Sequence, residues 1–486
     1  MKQRILLFAL LCATTLAQAQ IGIGTNTPNA SAKLEISSTT QGLLPPRMTA
    51  VQRNAISNPA AGLMVWCNDC GTNGDIQIYN GTNWVNFNGG TRQMTVGTTK
   101  IGADIDGEAA DDYSGYSVAI SSDGTTVAIG APFNDGSGSN AGQVRVYQNI
   151  AGTWTKIGAD IDSEAANDNS GYSVAISSDG TTVAIGAPFN DGAGSDAGQV
   201  RVYQNIGGIW TQIGGDIDGE AVDDRSGHSL AISSDGTTVA IGAPFNDGAG
   251  LDAGQVRVYK NNAGTWTKIG IDIDGESAGD RSGNSVAISS DGTTVAIGAP
   301  KNDGSGFDAG QVRVYQNMGG TWTKTGADID GEEVIGNSGM SVAISSDGTT
   351  VAIGAPKNSG GGNDAGQVRV YQNITGTWTQ IGADIDGEAA GDWSGQSVAI
   401  SSDGSTVAIG APYNDGGAGQ VRVYQNIAGT WTKIGADIDG EAAGDESGSS
   451  VSISSDGTKV AIGAPYNDGV GSNAGQVRVY LPRTSL

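Results

Sequence analysis

The sequence has few of the residues that serve in catalysis or membrane insertion. Its 486 residues include three Cys and one His, and only 6% are aromatic. A single His leaves a Ser-His-Asp triad with one candidate base and no second choice. Beyond the first 20 residues, no apolar run approaches the 18 residues that a transmembrane helix needs. We therefore expect neither an enzyme nor a membrane-inserted protein.

Basic residues are also scarce. The chain has 25 Lys and Arg against 51 Asp and Glu, and its formal net charge is -26. Residues 99–486 hold 19 of the basic and 48 of the acidic residues, so this part alone is near -29. Nucleic acids and anionic membranes require a basic surface, which excludes them as partners. The charge favours cations or a cationic partner, or it serves only solubility.

Helical apolar spacing is absent, and a 56-residue unit takes its place. The unit occurs seven times; its copies begin at Ile101, Ile157, Ile213, Ile269, Thr325, Ile381 and Ile434. Each copy holds four short β-branched runs, which in the first copy are Ser117–Ser121, Thr126–Gly130, Gln143–Gln148 and Thr153–Ile157. Gly, Asn and Asp separate these runs, as they do between strands. Seven such units predict an all-β fold, a seven-bladed β-propeller of four-stranded blades.

The turns within a unit differ in predicted length. Asp123-Gly124 predicts a tight hairpin between the first and second strands. Residues 149–152 predict a slightly longer hairpin between the third and fourth strands.

The two ends of the array predict how it closes. The last copy stops after Gln476–Tyr480 and lacks a fourth run, whereas Gly97–Ile101 (GTTKI) matches a fourth run just before the first copy. We expect this N-terminal strand to pair with the C-terminal strands, which would protect two sheet edges. A solenoid would need modified capping repeats, and the sequence has none.

The first 96 residues differ from the array. Met1–Ala19 has a signal-peptide layout, with Lys2 and Arg4 before an apolar stretch and a small-x-small cleavage site at its end. We expect a secreted or surface-exposed protein with a small, mostly β module at 20–90, a linker at 91–96 and the propeller at 97–486.

Two features mark the small module. Two runs flanking Cys67 and Cys70 predict a β-hairpin, and in an oxidising compartment these cysteines predict a disulfide. A metal site would need two further ligands, and a redox pair would need a helix that the following Gly residues disfavour. Met48–Ile56, after two Pro residues, predicts a short helix.

The repeat resembles a known family. Every copy contains Gly-Ala-Pro, as at Gly130-Ala131-Pro132, within G-x-S-V-A-I-S … V-A-I-G-A-P … G-Q-V-R-V-Y. This core resembles the FG-GAP repeat, the blade of the integrin α-subunit propeller, although Ser-Gly stands where that family has Phe-Gly. The resemblance implies a seven-bladed propeller and, by analogy, adhesion or ligand binding.

The N-terminal GIGT-x-x-P pattern carries a second resemblance. It is similar to modules of secreted bacterial surface proteins and to the start of trimeric tail-fibre-like shafts. This similarity implies a homo-oligomer, formed through the small module.

Strand alternation divides the loops between two faces. Both hairpins of a unit must lie on one face, and the long loops between second and third strands must share the other face with the connections between units. The long-loop face holds most of the acidic residues and most of the differences between copies. Loops on a rigid scaffold commonly carry function. The candidate ligand-binding residues there are Tyr113, Arg225, His228, Arg281 and Trp393.

Carboxylates recur at alternating positions of the connecting loops. The first two sets are Asp104, Asp106, Glu108 and Asp112, and Asp160, Asp162, Glu164 and Asp168. Hard cations prefer several oxygen ligands in such a pattern, so Ca²⁺ is a candidate cofactor. The alternative is that these side chains accept hydrogen bonds from loop amides and neighbouring Arg. The D-x-D-x-D-G loop of the integrin blades is absent from its position between the first two strands.

Two further residue types repeat in every or nearly every copy. The third strands contain Arg145, Arg201, Arg257, Arg313, Arg369, Arg422 and Arg478. The fourth strands contain Trp154, Trp210, Trp266, Trp322, Trp378 and Trp431. The Arg residues would either bind an anion or pair with carboxylates between blades. The Trp residues would either stack on sugars or pack between blades.

These patterns favour a non-enzymatic binding or adhesion protein. Its partner would be an extracellular protein or a polysaccharide that contacts the acidic long-loop face. A carbohydrate-active enzyme on a propeller scaffold is one alternative, since paired carboxylates are abundant. A structural component of a surface appendage is the other.

Overall fold

The computed structural model describes residues 21–23, 34–36, 44–70, 75–79, 81–86 and 98–482. The chain divides into two compact units, residues 1–95 together with 486, and residues 96–485. The predicted signal peptide (Met1–Ala19) and the predicted linker (91–96) lie outside the described residues.

The N-terminal unit contains two small sheets. Ile21–Ile23 pairs with Leu34–Ile36 in parallel. A four-stranded sheet has the strand order Arg47–Met48, Met64–Cys67, Asp75–Tyr79 and Trp84–Asn86. The predicted hairpin is confirmed, because Met64–Cys67 pairs with Asp75–Tyr79 in antiparallel and the loop between them holds Cys70.

The predicted helix is shorter than its sequence pattern suggested. It spans Ala50–Asn54, because Thr49 caps it and Met48 belongs to a strand. Thr49 Oγ1 accepts a hydrogen bond from Gln52 N, and Gln52 Oε1 accepts one from Thr49 N. This reciprocal capping box sets the first turn of the helix.

The second unit consists of seven similar antiparallel sheets, each with the strand order inner, second, third and fourth. The inner strands are Ser117–Ile120, Ser173–Ile176, Ser229–Ile232, Ser285–Ile288, Ser341–Ile344, Ser397–Ile400 and Ser450–Ile453. The second strands are Thr126–Ala131, Thr182–Ala187, Thr238–Ala243, Thr294–Ala299, Thr350–Ala355, Thr406–Ala411 and Val460–Ala464. The third strands are Gln143–Ile150, Gln199–Ile206, Gln255–Asn262, Gln311–Met318, Gln367–Ile374, Gln420–Ile427 and Gln476–Leu481.

The fourth strands complete the sheets. They are Thr153–Lys156, Ile209–Gln212, Thr265–Lys268, Thr321–Lys324, Thr377–Gln380, Thr430–Lys433 and, for the seventh sheet, Thr99–Lys100. A short fifth strand also pairs with each third strand, which the four-run pattern did not predict. These are Ile161–Asp162, Ile217–Asp218, Ile273–Asp274, Ile329–Asp330, Ile385–Asp386, Ile438–Asp439 and Ile105–Asp106. In the shortened loop of the sixth sheet, Asn414–Gly417 forms a single helical turn.

The predicted pairing of the N-terminal strand with the C-terminal strand is confirmed. Lys100 lies opposite Tyr480, and Thr99 lies opposite Leu481. Each inner strand contacts the inner strand of the next sheet, and the inner strand of the seventh sheet contacts that of the first. One cavity is lined by Val, Ala, Ile or Leu side chains from all seven inner strands. The unit is therefore all-β, with repeated antiparallel sheets in the arrangement of a propeller-like fold.

The core lies between the sheets. All residues of the second strand Thr126–Ala131 are buried, because neighbouring sheets cover both of its faces. A cluster of Ile105, Val127, Ile129, Ala461 and Val477 fills the space between the first and seventh sheets. Burial of this kind recurs in every gap between sheets and stabilises the unit.

The Gly of each Gly-Ala-Pro has a packing role. A Cβ added at Gly130 would lie 2.0 Å from the carbonyl oxygen of Gly171, in the loop that enters the next sheet. No side chain fits at that distance, so the close approach of adjacent sheets requires Gly there.

The hairpin between the third and fourth strands is tighter than predicted. Ile150 pairs directly with Thr153, so only Ala151 and Gly152 form the turn, with φ of 52° and 90°. Both values lie in the left-handed region, as in the two-residue turns that match the twist of adjacent strands. Asn149 belongs to the strand, and its side-chain oxygen accepts a hydrogen bond from Gly152 N.

No helix among the described residues is long and apolar enough to cross a membrane.

Candidate functional site

The seven third-strand Arg side chains are structural. Arg145 is buried, and its guanidinium donates to Asp106 O and Ser114 Oγ, both at 2.9 Å, and to Tyr147 Oη at 3.0 Å. Its Nη1 also lies 3.6 Å from Glu108, a loop residue that precedes the sheet. The equivalent ion pairs, at 3.2–3.7 Å, are Arg201–Glu164, Arg257–Glu220, Arg313–Glu276, Arg369–Glu332, Arg422–Glu388 and Arg478–Glu441. The interpretation that each Arg pairs with a carboxylate is confirmed.

The six Trp side chains join neighbouring sheets. Trp154 Nε1 donates a 2.8 Å hydrogen bond to the carbonyl of Ile101, beside the strand that completes the seventh sheet. The same bond connects each later Trp to the preceding sheet, as in Trp210 to Ile157 and Trp431 to Ile381. Their indole groups therefore pack between sheets, as one of the two interpretations predicted.

The first set of calcium candidates is divided among separate protein partners. Asp104 forms an ion pair with Lys100 at 2.7 Å, Glu108 pairs with Arg145, and Asp106 accepts a hydrogen bond from Gln476 at 3.1 Å. Asp112 is buried and accepts from Ala109 N and Asn134 Nδ2, both at 3.0 Å. Burial raises the pKa of Asp112 although both hydrogen bonds lower it.

The second set follows the same pattern. Asp160 pairs with Lys156 at 2.8 Å, and Glu164 pairs with Arg201 at 3.7 Å. Asp168 accepts from Ser163 Oγ at 2.7 Å, and burial raises the pKa of Asp162. Within the described part of the chain, the one group of three potential metal ligands that converges is Cys67, Asp69 and Cys70. The cysteines of that group form the predicted disulfide, and calcium binding at the loops stays a prediction.

The side chains that differ most between copies form a ring at the long-loop end of the central cavity. We call this set the mouth ring, and it combines three positions of each copy. The first position is Tyr113, Asn169, Arg225, Arg281, Asn337, Trp393 and Glu446. The second is Tyr116, Tyr172, His228, Asn284, Met340, Gln396 and Ser449. The third is Phe133, Phe189, Phe245, Lys301, Lys357, Tyr413 and Tyr466.

Ring contacts connect these positions around the cavity. Tyr172 lies 4.9 Å from Tyr116 and 5.0 Å from His228, measured between ring centroids. Tyr113 contacts Phe133 of its own sheet at 5.0 Å and Tyr466 of the seventh sheet at 5.1 Å. A first-position side chain therefore lies between third-position side chains of two neighbouring sheets.

The structure places all five candidate ligand-binding residues in the mouth ring. Arg225 lies between two aromatic rings, with its guanidinium carbon 4.8 Å from the centroid of Phe189 and 4.5 Å from that of Phe245. Arg281 lies on the same Phe245 at 4.9 Å. Trp393 contacts Tyr413 at 4.7 Å. His228 follows Arg225 by three residues and points to Tyr172 and Phe245.

Burial and two neighbouring cations set the charge of His228. Desolvation first, and then Arg225 and Arg281, lower its pKa to about 4. The imidazole is therefore neutral at physiological pH. In the seventh copy, burial raises the pKa of the Glu446 carboxyl.

The first position of the ring has an unfavourable backbone conformation in every copy. The φ values of its seven residues lie between 52° and 56°, including 55° at Tyr113, 52° at Arg225 and 56° at Trp393. Asn tolerates this left-handed region best, yet Asn occupies it in only two copies. Bulky side chains at the other five positions point to a role beyond the turn itself.

Sequence reasoning missed much of the ring, including Tyr116, Tyr172, Phe189, Phe245 and Lys357. Their signal was present as variation at fixed positions, immediately before each inner strand and immediately after each Gly-Ala-Pro. Aligning the seven copies column by column would have found them.

Two family models match the chain. The FG-GAP repeat model matches residues 98–147, 160–203 and 433–480, and the model described as a phage tail like trimerisation region matches residues 22–102. Both resemblances predicted from the sequence are thereby confirmed. Together they suggest an extracellular surface or structural protein that forms homo-oligomers. A comparison with curated proteins finds no match.

Proposed function

We propose that this chain is a secreted or surface-exposed, non-enzymatic adhesion protein. Its seven sheets form a closed seven-bladed propeller, and the mouth ring binds an extracellular protein or polysaccharide. The observation that carries this proposal is the concentration of variable aromatic and cationic side chains at one end of an otherwise repetitive scaffold. Loops on a rigid scaffold commonly carry the binding residues, and side chains that vary between copies are not required by the repeated scaffold.

Closure is supported by contacts between the first and seventh sheets. Thr99–Lys100 pairs with Gln476–Leu481, and Trp154 donates to Ile101 across the next gap. The first inner strand also contacts the seventh. A linear array would leave these partners far apart.

Binding is favoured over hydrolysis by the chemistry of the ring. A glycosidase uses two carboxyl groups that flank the scissile bond. Glu446 is the single carboxylate among the described mouth-ring residues. The neighbouring Asp112 and Asp445 are buried and accept hydrogen bonds from Asn134 and Asn467.

The N-terminal match supports assembly into a trimer. A trimer would present three mouth rings, which raises avidity for a repetitive partner such as a polysaccharide. The same match also favours a second candidate function, a structural component of a surface appendage.

An array of glycans and extracellular proteins tests the proposal. The full chain should bind at least one array member, and Tyr113→Ala combined with Trp393→Ala should reduce that binding at least about tenfold. The matched control is Ile150→Ala with Ile206→Ala, two exposed residues of the hairpin face, which should leave binding unchanged. Equal loss in both variants, or hydrolysis of an arrayed sugar, would contradict the proposal. Absence of any binding would favour the structural role.

A further inference from the structure

The mouth ring has one sector of positive charge, most of it without an acidic partner, within a strongly acidic unit. Arg225 and Arg281 come from the third and fourth copies, and Lys301 and Lys357 come from the fourth and fifth. We call these four residues the cationic arc. The other described Lys and Arg side chains of the unit lie in the third and fourth strands or near the short turns.

Three residues of the arc have no acidic partner. Lys301 pairs with Asp308 at 2.8 Å. For Arg225, Arg281 and Lys357, the described part of the chain contains no carboxylate within 4.0 Å of the charged nitrogen. By contrast, all seven third-strand Arg and five fourth-strand Lys are paired with Asp or Glu.

The two Arg side chains are also held in place without hydrogen bonds. Neither guanidinium donates to an acceptor among the described residues, and Arg225 Nε is buried without a partner. Both guanidinium groups instead lie over aromatic rings, Arg225 over Phe189 and Phe245 and Arg281 over Phe245. A buried donor without an acceptor is costly unless a ligand supplies one. Two guanidinium groups oriented on aromatic rings are suited to bidentate recognition of a carboxylate or sulfate.

The composition of the whole mouth ring indicates the chemistry of the uncharged part of the ligand. Its 21 positions contain Tyr, Phe, Trp, His, Asn, Gln, Ser, Met and charged residues, but no Leu, Ile or Val. With no Leu, Ile or Val, the ring itself offers no aliphatic pocket for the side chains of a bound peptide. Flat aromatic faces and amide groups instead match a pyranose ring, which has an apolar C–H face and hydroxyl groups around its edge.

We propose that the mouth ring binds an acidic polysaccharide, with the anionic group of a sugar residue held between Arg225 and Arg281. Lys357, which lies 5.2 Å from the Trp393 ring, contributes charge at the far end of the arc. This inference rests on the proposed binding function and names its ligand class. The negative charge of the remaining surface repels the same ligand elsewhere and so confines it to the arc.

Titration calorimetry with matched oligosaccharides tests the inference. The full chain is titrated with a hexamer of galacturonic acid and with the same hexamer after reduction of its carboxylates to hydroxymethyl groups. We expect the acidic hexamer to bind at least about tenfold more tightly, since a charge-assisted hydrogen bond contributes on that scale. Equal affinity for the two hexamers would overturn the inference.

Charge-removing variants locate the contact. Arg225→Gln and Arg281→Gln should each remove the preference for the acidic hexamer, whereas Arg225→Lys should retain part of it. The control, Lys260→Gln with Lys459→Gln, removes two charges near the short turns and should leave the preference intact. If Arg225→Gln does not fold, as judged by its melting transition, the preference of Arg281→Gln and Lys357→Gln for the acidic hexamer still tests the site. A preference that survives in Arg281→Gln would contradict the site.

A third arm distinguishes failure of this inference from failure of the proposed function. Tighter binding of a hexaglutamate peptide than of the acidic hexamer, lost in Arg225→Gln, would overturn the polysaccharide in favour of an acidic peptide. Binding of uncharged glycans that depends on Trp393 but not on Arg225 would leave the proposed function standing without the acidic ligand. Binding that no mouth-ring variant affects would reject both the acidic ligand and the proposed binding role of the mouth ring.

Discussion

Lys100 and Tyr480 lie directly opposite each other in adjacent antiparallel strands, although 380 positions separate them in the sequence. The next pair, Ile101 and Val479, forms a backbone hydrogen bond of 2.7 Å from Ile101 N to Val479 O. Because hydrogen-bonded and non-hydrogen-bonded pairs alternate, Lys100 and Tyr480 occupy a non-hydrogen-bonded pair, where side chains approach most closely.

This geometry predicts a cross-link that tests ring closure. Lys100→Cys with Tyr480→Cys should form a disulfide on mild oxidation, because a non-hydrogen-bonded pair has a Cα separation of about 4.5 Å. Peptide mapping after proteolysis should recover the joined segments. The control, Lys156→Cys with Tyr480→Cys, places the first cysteine in the same position of another sheet and should not cross-link. A linear array would give no cross-link in either variant.

The buried Arg and its half-exposed Glu should contribute unequally to stability. Arg145→Met should lower the free energy of unfolding by about 2–3 kcal/mol, because it leaves several buried acceptors without a donor. Glu108→Gln should cost less than about 1 kcal/mol, because water screens the 42% exposed Glu side chain. Denaturant unfolding of both variants measures the difference, and equal effects would contradict this assignment.

The neutral state of His228 predicts a pH dependence. Its pKa is lowered to about 4 in the folded chain, and the imidazole of an unfolded chain titrates near 6.5. The unfolded state therefore binds more protons between these values, so this contribution is complete above about pH 6.5 and is lost as the pH falls towards 4. The loss should be on the order of 3 kcal/mol, since one pKa unit corresponds to about 1.4 kcal/mol.

Thermal melts across this range measure the effect. His228→Asn, which places the residue of the next copy at this position (Asn284), should have a flatter profile between pH 6.5 and 4 than the unmodified chain. The seven Asp residues of the Ser-Asp-Gly turns have lowered pKa values because Ser and Thr donate hydrogen bonds to them. The stability that these Asp residues contribute should be lost at a lower pH than the contribution of His228, in both proteins. Identical profiles above pH 4 would contradict the assignment to His228.

The carboxylate partners predict how the chain responds to chelation. Because Asp104, Glu108 and Asp112 pair with Lys100, Arg145 and Asn134, we expect EDTA to leave the melting temperature within about 1 °C of its value in calcium. Differential scanning calorimetry with and without added Ca²⁺ provides the measurement. A clear decrease in EDTA would instead support the calcium prediction.

The match to a trimerisation region predicts the oligomeric state. Light scattering on the full chain should give a mass three times that of one chain, and a variant that begins at residue 96 should be monomeric. A monomeric full chain would contradict assembly through the N-terminal unit.

Much of the fold was readable from the sequence because the repeat presents each strand seven times. The positions of the strands, the pairing of Thr99–Lys100 with the C-terminal strand and the pairing of Arg145 with a carboxylate all followed from spacing and charge. The turn at Ala151-Gly152 was misjudged because Ala rarely adopts positive φ, and only the strand register at Ile150 and Thr153 imposes it. The fifth strand at Ile161–Asp162 was missed because two residues carry no periodic pattern.

The site was only partly readable. The five candidate residues were recognised because they interrupt a repeat, but their mutual contacts were not. The stacking of Arg225 between Phe189 and Phe245 joins residues from three different stretches of the chain. No local pattern encodes such a contact, because it depends on how adjacent sheets are placed.

The sequence by itself determined the number of sheets, the strands in each and the face on which the variable loops lie. Period, alternation and turn residues are local properties, and seven copies reinforce them. The tertiary structure alone decided which Glu each third-strand Arg contacts and which cations remain without a partner. These contacts depend on distances between side chains that lie far apart in the sequence, and the packing of the sheets sets these distances.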